Sequence, residues 1–375
     1  MVIKEINELE PGMVLVQDVL NSFDTVVLAA GTELTTGLIM NLKAMNIDFV
    51  FVEMPEDTAL SNVSPMGLTS SVSERENIDS INSVQETSSL LGRSDKRTNV
   101  FHAAVKHYKS MYETVALGGT IDSSEVFDIV KDIVQTFYKY DDIFTVLKMT
   151  NSDEPYEMTH TSSMCVLSVL LAKWVNLPHQ KIYTMAQAAY LSDLGKALVP
   201  DDILSKKGAL SEDEQMIMQS HVAFTQDVLE RSGGFGGELI HIAATHHERL
   251  NGSGYPYNMD KEGINQLSRI VAVADTYHAL ISKRPYREAY SLFEATEMLW
   301  NMSYNELDTK VIERLVKFIT SFWVGGEVML SNGMKGKVIM ANKFDKFRPL
   351  VEVESGFIDL SHDRTCKIVD LVFSG

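Results

Sequence analysis

Apolar residues recur at helical spacing with little interruption from residue 99 to 322. The run includes "VFHAAVKHYKSMYETVAL", "SSEVFDIVKDIVQTFYKY", "MTHTSSMCVLSVLLAKWV", "KIYTMAQAAYLSDLGKAL", "SEDEQMIMQSHVAFTQDVLE", "ELIHIAATHHERL", "SRIVAVADTYHALIS" and "SLFEATEMLWNMS". Consecutive amphipathic segments of this kind can hide their apolar faces only against one another, as a bundle. Ser211, followed three residues later by Glu214, forms the pattern of a capping box and marks one helix start. An all-helical domain over 99–322 is therefore expected.

The flanks follow other periods. Residues 1–54 predict a small α/β domain: strands in "MVLVQDVL" and "TVVLAAG" around the turn "NSFD", a helix in "TELTTGLIMNLKAMNI", and a closing strand in "IDFVFVEM". Residues 55–98 are rich in Ser, Asn, Thr and charge. They carry too little apolar surface to offset the entropy of ordering, and read as a flexible linker with room for a short helix. Residues 323–375 alternate apolar and polar residues between Asn-Gly and Ser-Gly turns, which predicts a small β-rich segment. The fold class expected is mainly α, a helical bundle flanked by a small N-terminal α/β unit and a small C-terminal β appendage.

Bulk properties narrow the function. The 375 residues are 45% hydrophobic, an ordinary soluble composition. A formal net charge of −18 opposes wrapping of long nucleic acid, and no polybasic membrane anchor is present. A phosphate ligand must therefore meet a local cationic patch or a metal. Cys165 and Cys366 are far apart and in no metal-binding spacing, which fits a reducing compartment. The N-terminus lacks the apolar stretch of a signal peptide, and no uncharged apolar run approaches the roughly 18 residues of a membrane span. A cytoplasmic protein is expected.

The helical region carries ligand-type side chains on five successive helices: His160, Asp193, His221, His246, His247 and Asp275. Each alone fits a hydrogen-bonded core or surface residue. Together they are the imidazole and carboxylate set of iron, manganese and zinc hydrolytic centres built inside helical bundles. Two metals about 3.5–4 Å apart can activate a water and neutralise a phosphodiester. The loop "HHERLNGSGYP" adds Gly252 and Gly254, which allow close backbone paths, and Pro256, which stiffens the exit.

With these stretches in view, the chain resembles the HD-GYP phosphodiesterases, a branch of the HD superfamily that hydrolyses cyclic di-GMP. The resemblance rests on "HTSS" from His160, "SDLGKALVPDDIL", "SHVAFTQDVLE", "HHERLNGSGYP" and "RIVAVADTYHALISKRPYREA", in matching order across roughly residues 155–295. It implies that His160, Asp193 and Asp275 hold one metal, and that Asp193 bridges to a second held by His221, His246 and His247. It implies that Lys196 faces the scissile phosphate beside Asp193. Arg284 and Arg287 would bind ligand phosphates, and Tyr255 would lie at the ligand in the loop that names the family. The implied cofactor is a divalent transition metal, iron or manganese, one or two ions per chain. The implied partner is a cyclic dinucleotide, cyclic di-GMP first, with signalling proteins as further partners.

Four positions depart from the family pattern. Ser192 stands where the His of the His-Asp doublet belongs, so the first metal loses an imidazole. Asn251 replaces an Asp in the glycine loop, keeping its hydrogen-bonding shape without the charge. His278 replaces a second Asp three residues after Asp275. Tyr156 occupies the position that is Glu in members with three metals, and Glu157 is off register, so at most two metals are expected. The departures set two readings side by side: a phosphodiesterase opening cyclic di-GMP to linear pGpG or GMP, and a degenerate domain that binds metal or nucleotide with little turnover and acts as a sensor or interaction module.

Overall fold

The computed structural model describes residues 2–16, 19–20, 26–44, 49–53, 79–139, 155–283, 288–342 and 344–372. The chain divides into two compact units, Met1–Leu90 and Leu91–Gly375.

In the first unit, β1 (Val2–Glu5) pairs antiparallel with β4 (Phe49–Val52), and β2 (Val19–Leu20) pairs with β3 (Val26–Leu28). Helix α1 (Thr36–Ala44) lies between β3 and β4 in sequence. Leu15, Leu34, Leu42, Val50 and Val52 form the core, so the small unit closes on its own aliphatic cluster. Strand β1 was not anticipated, because "VIKE" is too short to show a period. The expected turn "NSFD" and the stretch 54–78 lie outside the described residues. From Asp79 the chain is helical as α2 (Asp79–Ala116), which begins inside the segment read as linker.

The second unit is built around one helix, α4 (Tyr156–Trp174), in which every residue from Thr159 to Ala172 is buried. It is covered by α3 (Ser123–Phe137), α5 (His179–Leu191), α10 (Gln266–Ile281) and α12 (Thr309–Trp323). A helix enclosed on all sides needs no polar face, which is why its sequence shows small and apolar residues all round. Between α5 and α10 run α6 (Asp201–Leu204), α7 (Glu212–Gln219), α8 (His221–Ser232) and α9 (Gly237–Thr245). The capping box is present: Glu214 N donates to Ser211 Oγ at 3.3 Å, and Ser211 N donates to Glu214 Oε2 at 2.7 Å.

Two stretches read as continuous helices are broken. Helix α5 stops at Leu191, and Leu194–Leu198 forms a separate 3₁₀ turn. Likewise α7 and α8 separate at Ser220. Helix α12 follows α11 (Leu292–Met302) and is started by Asp308, whose carboxylate accepts from Lys310 N at 2.9 Å. Val311, Ile312, Leu315, Val316, Ile319 and Trp323 form its buried stripe.

The tail is an antiparallel sheet in the order β8-β7-β6-β5-β9: β5 (Glu327–Leu330), β6 (Lys335–Met340), β7 (Leu350–Val353), β8 (Gly356–Asp359) and β9 (Ile368–Val372). Glu327, Lys337 and Glu352 stand opposite one another across three strands, while Val328, Val338 and Val351 are buried. Trp323 joins this sheet to the helices, its ring 4.7 Å from Phe293 and 6.0 Å from Phe347 between centroids. Trp323→Ala is expected to cost about 3–5 kcal/mol in chemical denaturation and to open residues 324–372 to proteolysis before the helical core.

Candidate metal centre

Asp193 sits in the break between α5 and the 3₁₀ turn, and this break is imposed by its neighbours. A Cβ on Gly195 would lie 2.1 Å from the His221 carbonyl oxygen and 2.5 Å from the Thr225 nitrogen, so only glycine lets the turn press onto α8. Thr225, fully buried, closes the joint from the other side. Its hydroxyl donates to the Ser192 carbonyl at 2.9 Å and accepts from Gly195 N at 2.8 Å. The turn therefore presents the Asp193 carboxylate to the first residue of α8, His221.

Each oxygen of that carboxylate faces a different group. Oδ1 lies 3.2 Å from His221 Nε2 and 3.7 Å from His246 Nε2. Oδ2 lies 2.7 Å from Lys196 Nζ and 3.5 Å from His160 Nε2. His221 Nδ1 and His246 Nδ1 each donate to the backbone carbonyl three residues earlier, Met218 and Ala243, at 2.8 Å. With the proton fixed on Nδ1, each Nε2 offers a lone pair. Asp193 Oδ1, His221 Nε2 and His246 Nε2 are buried and make no hydrogen bond. Lone pairs gathered without a donor are unfavourable unless a cation lies among them. Donor atoms of Asp193, His221, His246 and His247 all lie within 4.8 Å of one another. The residues fit a divalent metal.

A second carboxylate completes the centre. Asp275 on α10 has Oδ1 3.1 Å from His160 Nε2 and Oδ2 3.4 Å from His247 Nδ1. His246 and His247, just past the end of α9, thus divide between the two carboxylates, with rings 3.9 Å apart. Burial pushes the Asp193 carboxyl up, but its neighbours, the Lys196 ammonium foremost, outweigh it and hold the group well below the usual carboxylate range. Asp275 is likewise held well below that range, His247 and His160 outweighing burial. Burial lowers His221, and burial with neighbouring His246 holds His247 well below the ordinary imidazole value. Anionic carboxylates beside neutral imidazoles are the protonation states a metal requires.

The departing residues have definite surroundings. Ser192 is buried and its hydroxyl donates to the Ala189 carbonyl of its own helix at 3.0 Å. His278 is buried, with Nδ1 2.7 Å from His160 Nδ1. Tyr156 Oη lies 3.0 Å from the same His160 nitrogen. Asn251 Oδ1 accepts from Ser253 N at 3.1 Å, preserving a turn inside the glycine loop. Arg284 and Arg287 lie outside the described residues.

The glycine loop folds back on the histidines. A Cβ on Gly254 would come within 2.4 Å of Glu248 Cα and Arg249 N, and Gly252 has φ +76°. Tyr255 then rests against His247 at a ring separation of 4.7 Å. Glu248, unassigned from sequence, is the clamp: Oε1 accepts from Tyr257 N at 2.7 Å and Oε2 from Met259 N at 2.9 Å. Its position directly after the His pair was the available signal. Thr225 was also missed, although it lies one helical turn beyond His221.

Residues 145–311 match the family model described as HD domain. The doublet, the paired histidines and the folded "NGSGYP" loop stand together within that span. That span of the chain is similar to the HD domain. Among curated relatives, the chain is 30% identical over 247 residues to a cyclic di-GMP phosphodiesterase of Pseudomonas aeruginosa, covering 65% of this chain and 59% of that one. It is 32% identical over 230 residues to a cyclic di-GMP phosphodiesterase of Thermotoga maritima, covering 59% and 61%. It is 31% identical over 170 residues to the 3'3'-cGAMP-specific phosphodiesterase 3 of Vibrio cholerae, covering 45% and 37%. The chain thus spans no more than about three fifths of the length of these relatives. No helix among the described residues is long and apolar enough to cross a membrane.

Two outcomes follow for this centre. Gly195→Ala is expected to cost about 1–3 kcal/mol in denaturation and to lower metal content, because the Asp193 turn must lift from α8. Burial holds His221 and His247 below the ordinary imidazole value of about 6.5, so protons compete for these two only well below it, and metal content after dialysis at about pH 6.5 is expected to equal that at about pH 7.5.

Proposed function

We propose that this HD-GYP domain is a metal-dependent phosphodiesterase acting on a cyclic dinucleotide, cyclic di-GMP first, and releasing the linear dinucleotide or mononucleotides. The observation that carries the reading is the convergence of Asp193 Oδ1, His221 Nε2 and His246 Nε2, three buried acceptors without a hydrogen-bond donor. A bound divalent metal, iron or manganese, would supply an activated water and neutralise phosphate charge. His221, His246 and His247 would hold one ion, His160 and Asp275 another, and Asp193 would bridge them. The two-sided placement of its oxygens supports that role. Lys196, tied to Asp193 at 2.7 Å, would stabilise charge developing on the phosphate. Tyr255, beside His247, would bound the ligand, with Arg284 and Arg287 as phosphate contacts. Hydrolase relatives named for cyclic di-GMP and for 3'3'-cGAMP support the substrate class and leave both nucleotides to be assayed.

One observation favours a second reading, a domain that binds metal or nucleotide with little turnover and acts as a sensor or interaction module. The Ser192 hydroxyl is committed to Ala189, so the doublet supplies one ligand instead of two. Metal analysis paired with hydrolysis of both cyclic dinucleotides separates the readings. Two metals per chain with brisk product release would exclude the degenerate domain. One metal or none, with nucleotide bound and unconverted, would exclude the enzyme. Ser192→His in metal-supplemented protein is expected to raise hydrolysis about tenfold or more, equivalent to about 1.4 kcal/mol of transition-state stabilisation.

A further inference from the structure

Helix α10 grips both nitrogens of one imidazole. Asp275 faces Nε2 of His160 at 3.1 Å, and His278, three residues on and on the same helical face, meets Nδ1 at 2.7 Å. His278 is 1% exposed and its Nε2 lies 3.3 Å from Ser282 Oγ. The two imidazole rings meet edge to edge with centroids 5.0 Å apart, Tyr156 stacks on His160 at 4.8 Å, and Tyr156 Oη, 3.0 Å from His160 Nδ1, is a second partner there, so the His160 ring is held on one face and at both nitrogens.

We infer that His278 is a positioning residue for His160: it fixes the tautomer and ring orientation that present Nε2 to a metal shared with Asp275. The inference rests on the reading that His160 is a metal ligand. A nitrogen–nitrogen distance of 2.7 Å requires one donor and one acceptor. When Nε2 donates to Asp275, His160 Nδ1 accepts and His278 Nδ1 donates. When Nε2 holds a metal, His160 Nδ1 carries the proton and His278 Nδ1 accepts, its own proton passing to the Ser282 side at Nε2. An imidazole at 278 serves both arrangements. A carboxylate there could only accept. The ion that loses an imidazole at Ser192 thereby keeps a His160 whose orientation does not depend on solvent.

The test loads the full chain with Co²⁺ and measures affinity by chelator competition together with the ligand-field spectrum, in the wild type, His160→Ala, His278→Leu and His278→Gln. Loss of an outer partner typically costs about 10–100-fold in metal affinity, and that loss is expected for His278→Leu at one site, with an altered spectrum. His278→Gln, which keeps an acceptor and a donor, is expected to retain wild-type affinity. His278→Leu binding like the wild type would overturn the inference, as would His278→Gln failing in the same way, since that marks His278 as a ligand itself. A wild type that binds no Co²⁺, with His160→Ala unchanged, would remove the metal reading as a whole. Nitrogen-15 spectra of wild-type side chains, loaded with Cd²⁺, give a check independent of variant folding. The expected pattern is a protonated Nδ1 on His160 facing a bare Nδ1 on His278, and the reverse pattern would overturn the assignment.

Discussion

A single buried carboxylate organises the helical unit. Asp193 is 3% exposed, and isolating an anion there would cost several kcal/mol without compensation. Compensation comes first from the Lys196 ammonium, while the imidazoles of His160, His221 and His246, each delivered by a different part of the chain, close round the group. The helices that deliver them must therefore meet at one point, and α4, buried from Thr159 to Ala172, supplies the axis around which they do so. The hydrophobic core and the polar centre are one construction, since α4 carries His160 at the start of its buried stretch.

The compensation is incomplete by design of the hydrogen bonds. His221 and His246 spend their protons on backbone carbonyls, so they approach Asp193 with lone pairs. A purely structural network would turn donors toward a carboxylate. Here the protein spends folding stability to keep acceptors facing one another, the pattern of a site that suits a divalent cation.

Much of this was legible in the sequence because it depends on residue type and order. The helical region, the C-terminal strands and the six ligand-type residues all follow from period and chemistry. The breaks at Ser192–Asp193 and at Ser220 were not legible, since apolar spacing continues across both. The first arises from Gly195 and Thr225, whose contact joins residues 30 positions apart. Glu248 escaped for a related reason: an acid beside two histidines reads as a ligand or as nothing, whereas its work is on the amides of Tyr257 and Met259. His278 was visible as a departure, but its partner on α4 was set by packing alone.

The contact between Gly195 and α8 also bears on how such a chain can vary in length. The joint from Ser192 to Gly195 has no spare volume, and His221 must begin α8 directly against it. The path between them is different, because α7 contains no buried residue. Insertions and deletions among residues 207–210 would change only the excursion, while a single added residue inside 192–195 would rotate Asp193 out of reach of both imidazoles. The centre thus behaves as a fixed clasp on an adjustable strap, and natural length variation in related chains is expected to collect in the strap.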